Sequence, residues 1–219
     1  MSEATTAQTA SGDFGAYRDK LGMWFFLCSD AMMFAALLIG YAMIRLANLP
    51  AWPNPSDILN IPMTALFTFD LIVSSVTMVK AFEASDRGDE WWTKFWLGGT
   101  ILFGAAFIGF QIYEWGHFFM EGVIPGFWSA HGLEHFGKMA GVHDTEVLKL
   151  FFGTFYALTG FHGFHVTCGV IYNSVVLTNV YRGKYTSTEE RSNSIEIAGL
   201  YWHFVDLVWI LLFTFIYLV

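Results

Sequence analysis

Apolar residues gather along this chain in five long runs, at about 21–46, 59–82, 95–120, 148–181 and 196–219. At about 1.5 Å of rise per helical residue, each run is long enough to cross a hydrocarbon layer of about 30 Å. The segments between them are polar or rich in Gly, Pro and Asn. Asn48-Leu49-Pro50-Ala51-Trp52-Pro53-Asn54-Pro55 separates the first run from the second, and the charged stretch Glu83 to Glu90 separates the second from the third. Residues 121–147 form the longest interruption and 182–195 the last. The pattern predicts an all-α polytopic membrane protein, a bundle of five transmembrane helices spanning 20–219. Residues 1–19 are small, polar and acidic, with neither a basic n-region nor an apolar h-region, and read as a disordered cytoplasmic tail.

Composition sharpens this picture. Apolar residues make up 55% and charged residues 14%, which excludes an ordinary soluble domain, and a net charge of −8 argues against nucleic-acid binding. Cys28 and Cys168 fall inside apolar runs and read as small hydrophobes rather than a disulfide pair. Cations set the orientation. With the N-terminus inside, the inner segments hold Arg18, Lys20, Lys80, Arg87, Lys94, Arg182, Lys184 and Arg191. The outer ones hold only Arg45, Lys138 and Lys149. The expected protein therefore has a cytoplasmic N-terminus and an external C-terminus. Small residues at four-residue spacing, Thr159/Gly163/Thr167 and Ala105/Gly109, predict close helix contacts.

Ionisable groups inside spans are costly and mark sites. Asp30 lies near the middle of the first run and Asp70 near the middle of the second. Glu114 and His117 lie toward the outer end of the third, His162 and His165 are central in the fourth, and His203 and Asp206 in the fifth. Each of these last three pairs has i, i+3 spacing, which puts both members on one side of a helix. They fit mutual hydrogen bonding between helices, and they equally fit a proton relay, a lipid-headgroup site or a metal site. The metal reading is weak. Glu114-x-x-His117 has no second copy of the kind di-iron bundles need. His131-x-x-x-His135 and His162-x-x-His165 occur, but no two of the seven histidines are adjacent. His131, His135 and His143 read as solvated loop residues. No residue reads as catalytic, metal-ligating or cofactor-binding.

The ordered motifs are more specific. The first run opens Lys20-Leu21-Gly22-Met23-Trp24-Phe25-Phe26-Leu27-Cys28-Ser29-Asp30, the second carries Ser74-Ser75-Val76-Thr77, and the third Gln111-Ile112-Tyr113-Glu114-Trp115. The fourth carries Gly160-Phe161-His162-Gly163-Phe164-His165-Val166 with Gly169 following, and the chain ends Tyr201-Trp202-His203-Phe204-Val205-Asp206-Leu207-Val208-Trp209-Ile210. From about residue 20 onward this resembles the cytochrome c oxidase subunit III family in its short, five-helix bacterial form. The resemblance implies a non-catalytic subunit of a proton-pumping haem–copper oxidase, which oxidises cytochrome c and reduces oxygen to water. Haem and copper are expected in partner subunits, none in this chain, and phospholipid is expected beside the first helix. The implied partners are subunit I, the other oxidase subunits, membrane lipid and, one level up, a respiratory supercomplex. The implied location is the bacterial inner membrane. Where the family usually has Ser-Glu, this chain has Ser29-Asp30, keeping the charge type but losing a methylene. Its 121–147 segment is also longer than in the most compact relatives. A related branch, the accessory subunit of nitric oxide reductases, often has Asp at this position and is the alternative; a membrane metalloenzyme is the more distant one.

Overall fold

The structure, a computed structural model, describes the backbone of residues 2–219 and the side chains of residues 17–219. The side chains of 1–16, most of the tail expected at 1–19, lie outside the described residues. The order is α1 (Ser2–Ala47), a 3₁₀ turn (Leu49–Ala51), α2 (Pro55–Ile58), α3 (Ile61–Asp86), α4 (Glu90–Met120), a two-stranded hairpin β1 (Val123–Ile124) and β2 (Phe127–Trp128), α5 (Ala130–Ala140), α6 (Thr145–Tyr181) and α7 (Thr188–Leu212). The end of α7 continues as a wider turn, Phe213–Leu218, closed by Val219 N–H donating to Thr214 O.

The caps explain the boundaries. Asn60 accepts from Met63 N–H to start α3, Asp89 from Trp92 N–H to start α4, and Ser187 from Glu190 N–H to start α7. The charged stretch at 83–90 is mostly helical: α3 runs on to Asp86 and α4 begins at Glu90. Only a three-residue turn remains, in which Gly88 takes φ +80°. The 121–147 segment is likewise no open loop. It holds the hairpin and α5, capped by Ser129 at its start and closed by Gly141 at φ +67°.

Four helices, within Tyr17–Ala47, α3, α4 and Thr188–Leu218, are long and apolar enough to cross a membrane. Helix α6 is the longest after α1, with 37 residues, but is not among them. Its middle carries His162, His165 and several Gly and Thr, which lower its mean hydropathy. Helix α7 is central and packs on α3 and α6, while α4 packs on α3 and α6 from the other side. Helix α1 lies at the edge against α7 and α6. Its buried residues Leu27, Asp30, Phe34 and Tyr41 form one narrow stripe at near-heptad spacing.

The close contacts follow the glycines only in part. A Cβ on Gly163 would sit 2.5 Å from the Gln111 side chain, so the small-residue face on α6 does meet α4. Ala105 and Gly109, by contrast, face outward, and nothing approaches Gly109 within 4 Å. The tight glycine of α4 is Gly104, where a Cβ would lie 2.8 Å from Val170 Cγ2 and 2.9 Å from Trp202 Cζ2. On the opposite side of the same indole, a Cβ on Gly169 would lie 2.9 Å away. Trp202 is therefore wedged between α4 and α6 where both lack a side chain.

Candidate functional site

Every backbone N–H inside a membrane helix is committed to its own helix, so polar side chains must satisfy one another. Helix α3 supplies hydroxyls for this. Ser74 Oγ accepts from Trp202 Nε1–H at 3.0 Å, and Thr68 Oγ1 accepts from Trp209 Nε1–H at 2.9 Å. Thr77 Oγ1 lies 2.8 Å from Thr100 Oγ1 of α4. On the α4–α6 seam, Gln111 Nε2–H donates to Thr159 O at 2.6 Å. These bonds fix how each helix is turned about its own axis.

The candidate site lies where α1 meets α6. Asp30 Oδ1 is 3.2 Å from His165 Nε2, and the two residues are only 7% and 8% exposed. His165 Nδ1 is 2.7 Å from Phe161 O one turn earlier. A carbonyl only accepts, so Nδ1 carries a hydrogen and Nε2 is the nitrogen turned to the carboxyl. Tyr201 OH donates to His165 O at 2.9 Å, tying α7 to the same turn. Asp30 Oδ2 is buried with no hydrogen-bond partner among the described residues. Beside the pair, a groove of 430 Å³ opens between α1 and α6, lined by Met23, Phe26, Phe164, His165, Cys168 and others.

The remaining polar residues separate. His162, though three residues from His165, is fully buried between Phe107 and Trp209, and neither ring nitrogen has a partner. Glu114 is buried and accepts from Tyr217 O–H at 2.9 Å, with Thr64 Oγ1 3.5 Å from its other oxygen. His117 is exposed, so the expected sharing of one face by Glu114 and His117 does not hold. Three helical residues turn the side chain by about 60° from alignment, and at this position that separates inside from outside. His203 and Asp206 are linked through α3: Ser75 Oγ is 2.5 Å from His203 Nδ1 and also adjoins the Asp206 carboxyl. His131, His135 and His143 are exposed on and after α5. Nearby, Lys138 Nζ at 2.6 Å from Glu134 holds that carboxyl below its ordinary range. Among the described residues no three His, Cys, Asp or Glu side chains converge to hold a metal ion.

Sequence reasoning missed Arg191 and Asn173. Arg191 is 6% exposed and joins three helices at one end of the bundle, donating to Ser85 Oγ and O at 3.2 and 3.3 Å and pairing with Glu90 at 3.2 Å. Lys20 pairs with Glu196 at 2.7 Å at the same end. Asn173 is 1% exposed with both amide atoms unpartnered. The sequence marked Arg191 only as one of the inner-segment cations, in the polar stretch before the last apolar run, and nothing in the pattern marked Asn173.

These features define an all-α membrane protein whose buried polar groups lock its helices together. The family described as cytochrome c oxidase subunit III matches residues 147–219. The cytochrome bo(3) ubiquinol oxidase subunit 3 of Pseudomonas putida is 33% identical over 202 residues, covering 90% of this chain and 84% of that protein. The cytochrome c oxidase subunit 3 of Alkalihalophilus pseudofirmus is 30% identical, over 90% and 85% of the two chains. A probable quinol oxidase subunit 3 of Staphylococcus aureus is 28% identical, over 92% and 89%. This chain belongs to the haem–copper oxidase subunit III family.

Proposed function

We propose that this chain is the non-catalytic subunit III of a proton-pumping terminal oxidase in the bacterial inner membrane. It crosses five times with the N-terminus inside, packs on subunit I, and holds phospholipid in the groove beside α1. The oxidase reduces oxygen to water with electrons from cytochrome c; a quinol donor is the second reading, favoured by the ubiquinol and quinol oxidase subunits among its relatives. Oxygen chemistry belongs to haem and copper in the partner subunits. This chain's own contribution is mechanical and protonic.

The observation that carries the reading is the Asp30–His165 pair. A lone carboxylate at mid-membrane depth costs several kcal/mol, on the order of the penalty for an unpaired buried charge. The imidazole removes that cost in two ways. As an imidazolium it donates to a carboxylate; as a neutral ring it accepts from a carboxylic acid. One proton moves between Nε2 and Oδ1 with no change in the pair's net charge. The contact also pins α1 onto α6, alongside its packing on α7 and the Lys20–Glu196 pair. Replacing Asp30 with Asn keeps the shape and removes the proton. In the assembled oxidase we expect near-normal initial oxygen consumption, followed by faster decline over many turnovers or a lower proton yield per electron. Immediate loss of turnover in a correctly assembled complex, or a time course identical to the parent protein, contradicts this role.

A further inference from the structure

We propose that a groove along the last turns of α6, from Arg182 to Val170, binds an anionic phospholipid. Its phosphodiester meets Arg182 and Asn179, and an acyl chain lies on Val175, Ile171 and Val170. The inference needs only that the chain spans a membrane and does not depend on which oxidase it serves. The groove has a volume of 400 Å³ and shares no lining residue with the one beside α1.

Of the eleven Lys and Arg side chains, all but Arg182 and Lys184 reach an acidic side chain or, for Arg45, the Val219 carbonyl, among the described residues. Acids are not scarce, since the chain carries 19. The two unpaired cations flank Gly183, which turns the chain at φ +60° just after α6. The last carbonyls of the helix are already capped, because Arg182, Gly183 and Lys184 N–H donate to Thr178, Val180 and Asn179 O. That capping blunts the repulsion an anion meets at a helix C-terminus. Glu190, the acid within reach of the Lys184 charge, is held by Thr186 N–H and O–H at 2.9 and 2.7 Å.

The lining grades from polar to apolar. At one end Arg182 is exposed and Asn179 half-buried, and neither side chain makes a hydrogen bond among the described residues. The Thr178 and Ser174 hydroxyls donate back to Ser174 O and Val170 O, each at 2.7 Å, so the wall below Asn179 offers no free donor. Ile171 and Val175 are 59% and 51% exposed. Val170 ends the groove against α4, packed on Gly104. From Arg182 to Val170 is about 18 Å of helix, against about 15 Å for one leaflet's share of the hydrocarbon layer. Arg182 therefore lies level with the headgroups. The exposed Trp91, Trp92 and Phe95 at the start of α4 mark the same level, and Lys94 Nζ, 5.2 Å above the Tyr181 ring, ties that end of α4 to the end of α6.

This order of chemistry identifies the occupant. A guanidinium and a carboxamide at headgroup level supply N–H donors to phosphate oxygens, and arginine does so with two parallel bonds. The lining holds no carboxylate to receive an ammonium, so a net-anionic headgroup is matched better than a zwitterionic one. A helix from another subunit would cross both leaflets, whereas this groove stops near mid-membrane at Val170.

Native mass spectrometry of the purified full-length chain, delipidated and then titrated with phosphatidylglycerol or phosphatidylcholine, tests this. The parent chain should retain several-fold more phosphatidylglycerol than phosphatidylcholine. Removing the cations with Arg182→Gln and Lys184→Gln should lower phosphatidylglycerol affinity by roughly fivefold each and leave phosphatidylcholine unchanged. Lys138→Gln with Lys149→Gln, at the other end of the bundle, should change neither. Val175→Trp, which fills the acyl track, should lower phosphatidylglycerol retention with both cations in place. Equal retention of the two lipids, unchanged binding in the Arg182/Lys184 variant, or an equal loss from the Lys138/Lys149 variant overturns the proposal. Displacement of the lipid by an equal concentration of inorganic phosphate also overturns it, because the track would then contribute nothing. In lipid-free detergent the Arg182/Lys184 variant should unfold at the parent temperature; a lower one means the cations serve the fold and refutes their role as a headgroup seat. In native membranes a photo-crosslinking residue at Val175 should give lipid adducts, and adducts with another protein chain overturn the proposal.

Discussion

Gly104 offers the sharpest test of the packing. A Cβ there would lie 2.8 Å from Val170 Cγ2 and 2.9 Å from Trp202 Cζ2, with another indole carbon closer still. Carbon atoms prefer about 3.5–4.0 Å, so something must move by more than half an ångström. The indole cannot retreat. Gly169 backs it at 2.9 Å from a would-be Cβ, and its Nε1–H is held by Ser74 at 3.0 Å. Gly104→Ala should therefore cost about 1–3 kcal/mol of overpacking. Better helix propensity returns at most about 1 kcal/mol. The net effect is destabilising. Gly109→Ala on the same helix meets nothing within 4 Å and should be neutral or slightly stabilising. Thermal unfolding of the detergent-solubilised protein, followed by tryptophan fluorescence, compares the two. Trp202→Phe in the Gly104→Ala background should recover part of the loss by making room. A Gly104→Ala protein at least as stable as the parent would refute the wedge.

The two histidines of α6 should respond oppositely. His165→Leu strands the buried Asp30 and should destabilise by about 1–3 kcal/mol or more. His162→Leu removes two unpartnered nitrogens and should be close to neutral apart from lost ring packing on Phe107 and Trp209; equal losses in thermal unfolding would contradict the assignment. For topology, reporter fusions should place the N-terminus inside and the C-terminus outside, and a cytoplasmic signal from the C-terminus would mean an even number of crossings. Native mass spectrometry of the purified oxidase should retain phospholipid, and filling the groove with Cys168→Trp should reduce its amount; unchanged lipid would refute the groove as its seat.

Much of the architecture was legible because hydropathy needs no knowledge of neighbours. The five runs correspond to α1, α3, α4, α6 and α7, although charged helix ends such as Glu83–Asp86 were read as turn. Rotation about each helix axis was harder to read. In a chain apolar on every side, the inward face is chosen by packing, so Ala105/Gly109 looked as suitable as Gly104. The same blindness put His117 with Glu114, although one is exposed and the other buried. Depth alone offers Asp30 several central histidines, and only the packing of α1 on α6 selects His165 over its neighbour His162. The Trp202–Ser74 and Trp209–Thr68 bonds carry a faint trace in hindsight. Indoles seven residues apart share a face of α7, and hydroxyls six apart sit on the helix opposite.

The central claim is that this chain works as a subunit of an oxygen-reducing haem–copper complex. Its most direct test is affinity purification of the tagged full-length chain from its native membrane in mild detergent, followed by haem and copper analysis and an oxygen-consumption assay. The account predicts a stoichiometric complex with a larger membrane subunit that carries haem and copper and reduces oxygen with cytochrome c or quinol. A chain recovered without haem or copper, or with a partner that reduces nitric oxide but not oxygen, would contradict it.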